Sequence, residues 1–144
     1  DIKPSPLAKR ATRIRKRATA DCDHFLAKRL TEGDSPEKNF STGRETIKKF
    51  GSVSMDPYSC LGIHWSDSSG IWVCNAHAAK RSTVTGAEIT KGINEIFKKC
   101  RQGKGNMTSG AHIIKNGMVV VVGKNTCPRA PPRWNFKDFE AISG

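Results

Sequence analysis

The chain has 144 residues, enough for one domain with a modest core and too few for two. It carries 25 lysines and arginines against 13 acidic residues, a formal net charge of +12. No run of about 18 apolar residues is present, so the sequence predicts no membrane-spanning helix. No secretory signal is visible either, which means that a signal was removed or never existed.

The N-terminal arm, residues 1–17, carries half of the net charge, because it holds seven basic residues and one acidic residue. Its few large apolar side chains cannot offset the entropy lost on ordering, so we predict a disordered segment. Lys-Arg pairs, after which kexin-type secretory proteases cut, end at Arg10 and Arg17. We interpret the arm as a propeptide processed at these pairs; an inert basic tail or a functional basic arm are the alternatives. The arm lacks aromatic residues for stacking on bases, which speaks against binding of nucleic acid.

The predicted domain spans residues 18–127. Its first segment, DCDHFLAKRL at 21–30, has apolar residues at helical spacing, so it predicts a helix with Asp21 as the N-cap. Residues 44–55 are ambiguous, because they suit either one strand ending at Met55 or a short helix followed by a strand.

A hairpin is predicted next. YSCLGIHW at 58–65 alternates apolar with smaller or polar residues, and GIWVCN at 70–75 follows a short Ser/Asp loop. Cys60 and Cys74 stand at nearly mirrored distances from that loop, so they are candidates for cross-strand neighbours.

The strongest helix signal covers residues 85–103. Thr85 and Glu88 have capping-box spacing, and Gly103 suits a left-handed stop. Gly92 weakens the middle of this helix, which indicates close packing there. One apolar stripe runs along the helix: Ile89, Ile93, Ile96, Phe97 and Cys100.

A second hairpin is predicted over residues 112–127, with the turn at Asn116-Gly117. Val119–Val122 are apolar without alternation, which indicates a central strand covered on both faces. The tail, residues 128–144, is rich in proline and aromatic residues that would dock on the domain or contact a partner.

These elements predict an α+β fold. We expect a two-layer α/β sandwich in which two helices cover a small, mainly antiparallel sheet of three to five strands. The expected type is split-βαβ or ferredoxin-like rather than a nucleotide-binding parallel sheet.

Five scattered cysteines fit a disulfide framework in an oxidising compartment, so we predict a secreted protein. Five is odd, so at least one thiol is unpaired or pairs with another molecule, which would allow a dimer. We expect Cys22 to be bridged, and we expect the partner of Cys100 to come from the sheet beneath its helix. All five are disulfide candidates: Cys22, Cys60, Cys74, Cys100 and Cys127.

The residue types for catalysis are present without a recognisable spacing. Cys60 and His64 look like zinc ligands, but on a strand they are about 13 Å apart and cannot share one ion. We therefore predict no metal, no cofactor and no catalytic residue. A small basic secreted ribonuclease is the main alternative, and its candidate residues are His64, His77, His112 and Glu88.

A basic face and two glycosylation sequons complete the candidate sites. The sequons begin at Asn39 and Asn106. The basic face would attract an anionic membrane or a phosphate-bearing partner, although a solvated helix face is the simpler interpretation. It comprises Lys91, Lys98, Lys99, Arg101 and Lys104.

One block of the sequence resembles killer-toxin-like and effector proteins of fungi. It begins with Cys60-Leu61-Gly62-Ile63, continues through Thr85-Gly86-Ala87-Glu88 and Cys100, and ends with Gly117 and Cys127. The groups concerned are the virally encoded killer toxins of smut fungi and the secreted necrosis-inducing effectors. The resemblance implies an α/β sandwich, secretion and no catalysis. It also implies action on host or competitor cells through a protein or membrane component. An intracellular nucleic-acid-binding module is a further alternative.

Overall fold

The computed structural model describes residues 20–23, 31–66, 68–77, 79–103, 106–115 and 117–125. The predicted propeptide 1–17, the greater part of the predicted helix 21–30, and the tail 128–144 lie outside these residues.

Nine strands, two α-helices and a 3-10 helix are formed by the described residues. The 3-10 helix spans Glu37–Phe40 and leads directly into α1, Ser41–Lys48. The longer helix, α2, spans Gly86–Cys100. The strands are β1 (Ala20–Asp21), β2 (Ser35–Pro36), β3 (Ser52–Met55), β4 (Ser59–Ser66), β5 (Ser69–Asn75), β6 (Ser82–Thr85), β7 (Met107–Thr108), β8 (Gly110–Lys115) and β9 (Met118–Lys124).

The main sheet has five strands in the order β1-β8-β9-β5-β4, and every neighbouring pair in it is antiparallel. Two further sheets have two strands each, β2 with β7 and β3 with β6. Helix α2 follows β6 and precedes β7, so along the chain it stands between one strand of each small sheet.

The predicted two-layer, ferredoxin-like sandwich is therefore wrong. That prediction expected one sheet of three to five strands under two helices, whereas the described residues form three separate sheets. The structure is mostly β, with nine strands in sheets of five, two and two. Strands β1, β2 and β7 were not predicted, because each has two residues, too few for a periodic pattern.

The signals for α2 are confirmed. Thr85 Oγ1 accepts a hydrogen bond from the Glu88 amide at 3.1 Å, and the Thr85 amide donates to Glu88 Oε1 at 2.9 Å. This reciprocal pair fixes the first turn of the helix. All five residues of the apolar stripe are buried. Gly103 has φ of 65°, but the helix ends earlier, at Cys100, because Arg101 is extended.

The ambiguous segment 44–55 contains the end of α1 followed by β3, the second of the two predicted options. Gly43 and Ile47, one helical turn apart, are the buried residues of α1. At the N-terminal side, Ala20 and Asp21 form a strand and not the start of a helix. Asp21 Oδ1 accepts the Asp23 amide at 2.9 Å, which stabilises a turn after this strand.

Both predicted hairpins are present, but the first one departs from simple alternation. The pairing of β4 with β5 shifts between Gly62 and His64, so Ile63 is an extra residue in the strand. A bulge of this kind reverses the face of each residue that follows it. As a result, Trp65 packs against Trp72, on the face opposite to Leu61, rather than continuing the Leu61–Ile63 row.

The main sheet is buried on both faces. One cluster joins the sheet to the helices and includes Ile71, Val73 and Val120. The other lies on the opposite face and includes Trp72, Val119 and Val121. All of Val119–Val122 are fully buried, which confirms the prediction of a central strand covered on both sides.

Candidate functional site

Two disulfides hold the sheet, one on each face. Cys22 and Cys100 are joined on the helix side, with an S–S distance of 2.07 Å and a Cα–Cα distance of 5.2 Å. Cys60 and Cys74 are joined on the opposite face, at 2.03 Å and 4.0 Å respectively.

Three predictions about the cysteines are confirmed. Cys22 is bridged, and it supplies the partner of Cys100 from the end of strand β1. Cys60 and Cys74 are direct cross-strand neighbours in β4 and β5. Both bridges consume their thiols, which removes Cys60 and Cys74 as ligands for a metal ion. Cys127 lies outside the described residues, and the two bridges leave it with no partner cysteine in this chain.

The predicted basic face is narrower than expected. Lys91, Lys98 and Lys99 are exposed on α2. Arg101 turns away to Glu37, to which its Nε donates at 2.6 Å and its Nη2 at 2.8 Å. This pairing raises the pKa of Arg101, through the hydrogen bond first and the charge of Glu37 second. Lys104 lies outside the described residues.

A cation from α1 extends the face instead. Arg44 Nη1 donates to Asn94 Oδ1 at 3.1 Å, and its guanidinium lies 5.4 Å from the centre of the Phe97 ring. Lys91, Asn94 and Lys98 share one side of α2, because their spacing is three and then four residues. Arg44 thus lies against the middle of a stripe that has Lys91 and Lys98 at its ends. We call Arg44, Lys91 and Lys98 the cationic stripe.

Sequence reasoning missed Arg44 because the contact joins residues 50 positions apart in two helices. The sequence did contain one relevant signal. Gly43 and Ile47 define the buried side of α1, and Arg44 follows Gly43 at the edge of that side. The stripe lies on a helical surface, so it can attract anionic groups but offers no geometry for selecting one small anion.

The candidate ribonuclease residues do not converge. His64 and His112 lie on the same face of the main sheet but on β4 and β8, three strand spacings apart. That separation is roughly 14 Å, too far for both to act on one phosphodiester.

The other two ribonuclease candidates have structural roles. His77 Nδ1 accepts the amides of Ala79 and Lys80 at 3.1 and 3.2 Å, so it shapes the loop after β5. Glu88 completes the capping box of α2.

A polar cleft of about 330 Å³ opens beside the Cys22–Cys100 bridge. Asp23 and Asp34 contribute carboxylates to it, and Gln102 and Ser109 line it as well. Ser109 Oγ donates a hydrogen bond to Asp34 Oδ1. The cleft joins three separate stretches of chain, which is why no local pattern pointed to it. Chemically, its carboxylates can accept hydrogen bonds from a donor group.

The two sequons occupy different environments. Asn39 is half-buried in the 3-10 helix, whereas Asn106 is exposed and directly precedes β7. The predicted processing sites at Arg10 and Arg17 lie outside the described residues.

Comparison with protein-family models, with curated proteins and with solved structures found no match for this chain. Within the described residues, no helix is both long and apolar enough to cross a membrane.

Proposed function

We propose that this protein is a secreted, non-enzymatic effector or killer-toxin-like protein that acts on host or competitor cells. In this proposal a kexin-type protease removes the basic arm after Arg10 or Arg17 in the secretory pathway. The remaining domain then binds an anionic component, protein or lipid, at the surface of the target cell. The sequence resemblance to fungal toxins and effectors led to this hypothesis, and the cross-links support it.

The observation that carries the proposal is the pair of disulfides on opposite faces of one sheet. Cys74 and Cys100 are fully or almost fully buried, so their bridges are part of the packed core. Such bridges form in oxidising compartments and are rare in the cytosol. Cross-links of this kind suit a small protein that must persist outside the cell.

The cationic stripe supports a binding role. It places Arg44, Lys91 and Lys98 on the outer surface of the helices, where they reach solvent without disturbing the core. Cations clustered in this way raise the rate of encounter with anionic surfaces, and the effect weakens as salt screens it.

A first experiment tests secretion and oxidation. The full chain is produced in a secreting yeast, with and without its kexin-type protease, and the intact mass of the secreted protein is measured before and after reduction. We expect a chain that begins at residue 11 or 18 only when the protease is present. We also expect reduction to add two hydrogens to the mass for each of two bridges. Secreted protein whose thiols are all titratable would overturn the proposal.

A second experiment tests the binding surface. Lys91→Glu with Lys98→Glu reverses two charges of the stripe, and Lys38→Glu with Lys124→Glu makes the same change in charge at exposed lysines outside the two α-helices. We expect the first pair to weaken binding to target cells at low salt at least several-fold more than the second. Equal losses would mean that net charge, and not the stripe, controls binding.

A further inference from the structure

The two sequons of this chain differ in how their asparagine side chains lie in the fold. Both present the Asn-x-Ser/Thr pattern that the transferase of N-linked glycans recognises in the endoplasmic reticulum. Transfer to the second sequon must precede folding, because Thr108, its hydroxyl residue, is fully buried in the folded protein. The folded structure therefore decides which sequon can keep a glycan.

The backbone of Asn106 is fixed by hydrogen bonds in and around its loop, while its side chain is exposed to solvent. The loop before it is closed by Gln102 and Met107, whose amides donate to each other's carbonyls at 2.8 and 3.1 Å. The carbonyl of Asn106 accepts the Glu37 amide at 3.2 Å. Its φ is 52°, in the left-handed region where asparagine is among the favoured residues. The side chain is exposed, so a sugar attached to its nitrogen would extend into water.

Asn39 uses its side chain internally. Its Nδ2 donates to Ser69 Oγ at 3.2 Å, and Ser69 is fully buried and also hydrogen-bonded to Ser35. Phe40, the middle residue of this sequon, is fully buried as well. A sugar on Nδ2 of Asn39 would face this packed interior, so a chain glycosylated there would have to break the contact in order to fold.

We infer that Asn106 carries an N-linked glycan and that Asn39 does not. In the transfer, Nδ2 of Asn106 forms a bond to the anomeric carbon of an oligosaccharide carried on a dolichyl pyrophosphate. The bond between that carbon and the pyrophosphate oxygen breaks, dolichyl pyrophosphate leaves, and the amide nitrogen loses one proton. This inference rests on the proposed function in one respect, entry into the secretory pathway.

The position of the glycan has a consequence for the binding surface. Asn106 lies beyond the C-terminal end of α2, next to the Glu37–Arg101 pair, whereas Lys91 lies in the first half of that helix. The helix rises about 1.5 Å per residue, so Lys91 is roughly 14 Å from the glycan-bearing end along the axis. The glycan would cover the loop end of the domain and leave the cationic stripe free at Lys91.

The test uses the full chain behind a heterologous secretion signal in yeast, so that entry into the secretory pathway does not depend on the chain itself. Two variants remove one sequon each. Asn106→Asp keeps a residue that tolerates the left-handed conformation. Ser41→Ala removes the other sequon without touching Asn39, and the bond it deletes, from the Ser41 hydroxyl to the Lys38 carbonyl, is exposed.

We expect the secreted wild type and Ser41→Ala to shift to lower mass on treatment with an N-glycan-removing endoglycosidase, and Asn106→Asp to show no shift. Peptide mapping should place the released site at residue 106. A secreted wild type that is insensitive to the enzyme, or a shift that Ser41→Ala abolishes, would overturn the inference. A failure here leaves the proposed function standing, because that proposal is tested by processing after Arg10 or Arg17 and by the two bridges of the secreted protein.

Discussion

Gly92 of α2 lies against Val120 of β9: a Cβ atom placed at Gly92 would stand 2.7 Å from Val120 Cγ1. The same atom would lie 3.2 Å from Cδ2 of His112 on the neighbouring strand β8. The missing side chain lets α2 approach the main sheet closely at strands β8 and β9.

Gly92→Ala should destabilise the protein, although alanine favours a helix over glycine by about 1 kcal/mol. Val120 is buried and β-branched, so it cannot move aside easily. The overlap should cost about 1–3 kcal/mol, as overpacking does elsewhere, and urea unfolding measures it. In a Val120→Ala background the added methyl has room, and there the same substitution should be neutral or stabilising. An equal loss in both backgrounds would contradict the close approach.

The two disulfides should contribute unequally to stability. Cys22 and Cys100 are 78 residues apart, and Cys60 and Cys74 are 14 apart. Loop-closure entropy then assigns about 4.5 kcal/mol to the first bridge and about 3 kcal/mol to the second. Paired Cys→Ala variants of each bridge, compared by urea denaturation, should follow that order. A larger loss for the Cys60–Cys74 pair would show that packing, and not chain entropy, dominates.

His112 should make the fold sensitive to acid. Burial lowers the pKa of its imidazole below the usual 6.5; Glu95 opposes this shift, and Lys91 and Lys99 add to it. Its buried Nδ1 has no hydrogen-bond partner among the residues that the structure describes. The unfolded chain therefore binds the proton more tightly than the folded one, and stability falls as the pH drops below about 6.5.

The His112→Gln variant has no charge to gain at this position. We expect its free energy of unfolding to decline less than that of the wild type between about pH 7 and pH 5. Urea midpoints measured across this range compare the two slopes. Parallel slopes for the two proteins would argue against His112 as the acid-sensitive group.

The Lys80–Arg81 pair should resist the kexin-type protease that we propose for the basic arm. Asn75 is buried, and its Nδ2 donates to the carbonyls of Met55 at 3.0 Å and Lys80 at 2.9 Å. Arg81 pairs with Asp56, and the next residue, Ser82, begins β6. A protease needs an accessible, extended substrate, and this segment is anchored on both sides of the scissile bond.

Digestion of the folded chain with a kexin-type protease should therefore leave the Arg81–Ser82 bond intact, while the reduced and unfolded chain is cut there. Asn75→Ala removes both anchoring bonds and should cost about 1–3 kcal/mol, because it leaves buried carbonyls unpaired. That variant should be cut after Arg81 measurably faster than the wild type. Rapid cutting of the folded wild type would contradict the anchoring.

Cys127 should supply one reactive thiol per chain, because the other four cysteines are paired with each other. A thiol reagent applied to the denatured, unreduced monomer should react once with the wild type and not at all with Cys127→Ser. Covalent dimers that reduction dissolves should likewise disappear in this variant. Two or more reactive thiols in the wild type would mean that a bridge is open.

Local signals in the sequence predicted the parts of the fold that short segments determine. The capping box of Thr85 and Glu88, the turn at Gly117 and the apolar stripe of α2 act within a few residues, so their patterns are visible without a structure. The cross-strand position of Cys60 and Cys74 follows from the same logic, since a hairpin places residues at mirrored distances side by side.

The resemblance to fungal toxins gave the functional hypothesis, which the experiments above are designed to test. Among the candidate residues, sequence spacing placed Lys91 and Lys98 on an exposed helix side but also included Arg101, which binds Glu37. It omitted Arg44, whose contact with α2 exists only because the two helices pack together.

The sequence by itself predicted α2, the two hairpins and the burial of β9, and it made Cys60 and Cys74 candidates for cross-strand neighbours. Only the tertiary structure decided that β3 pairs with β6 and β2 with β7, that Ile63 is a bulge, and that Arg44 joins Lys91 and Lys98. The physical reason is distance along the chain. A cap or a turn is stabilised by neighbours that any local pattern contains, whereas a strand of two or four residues is stabilised only by a partner that folding brings to it.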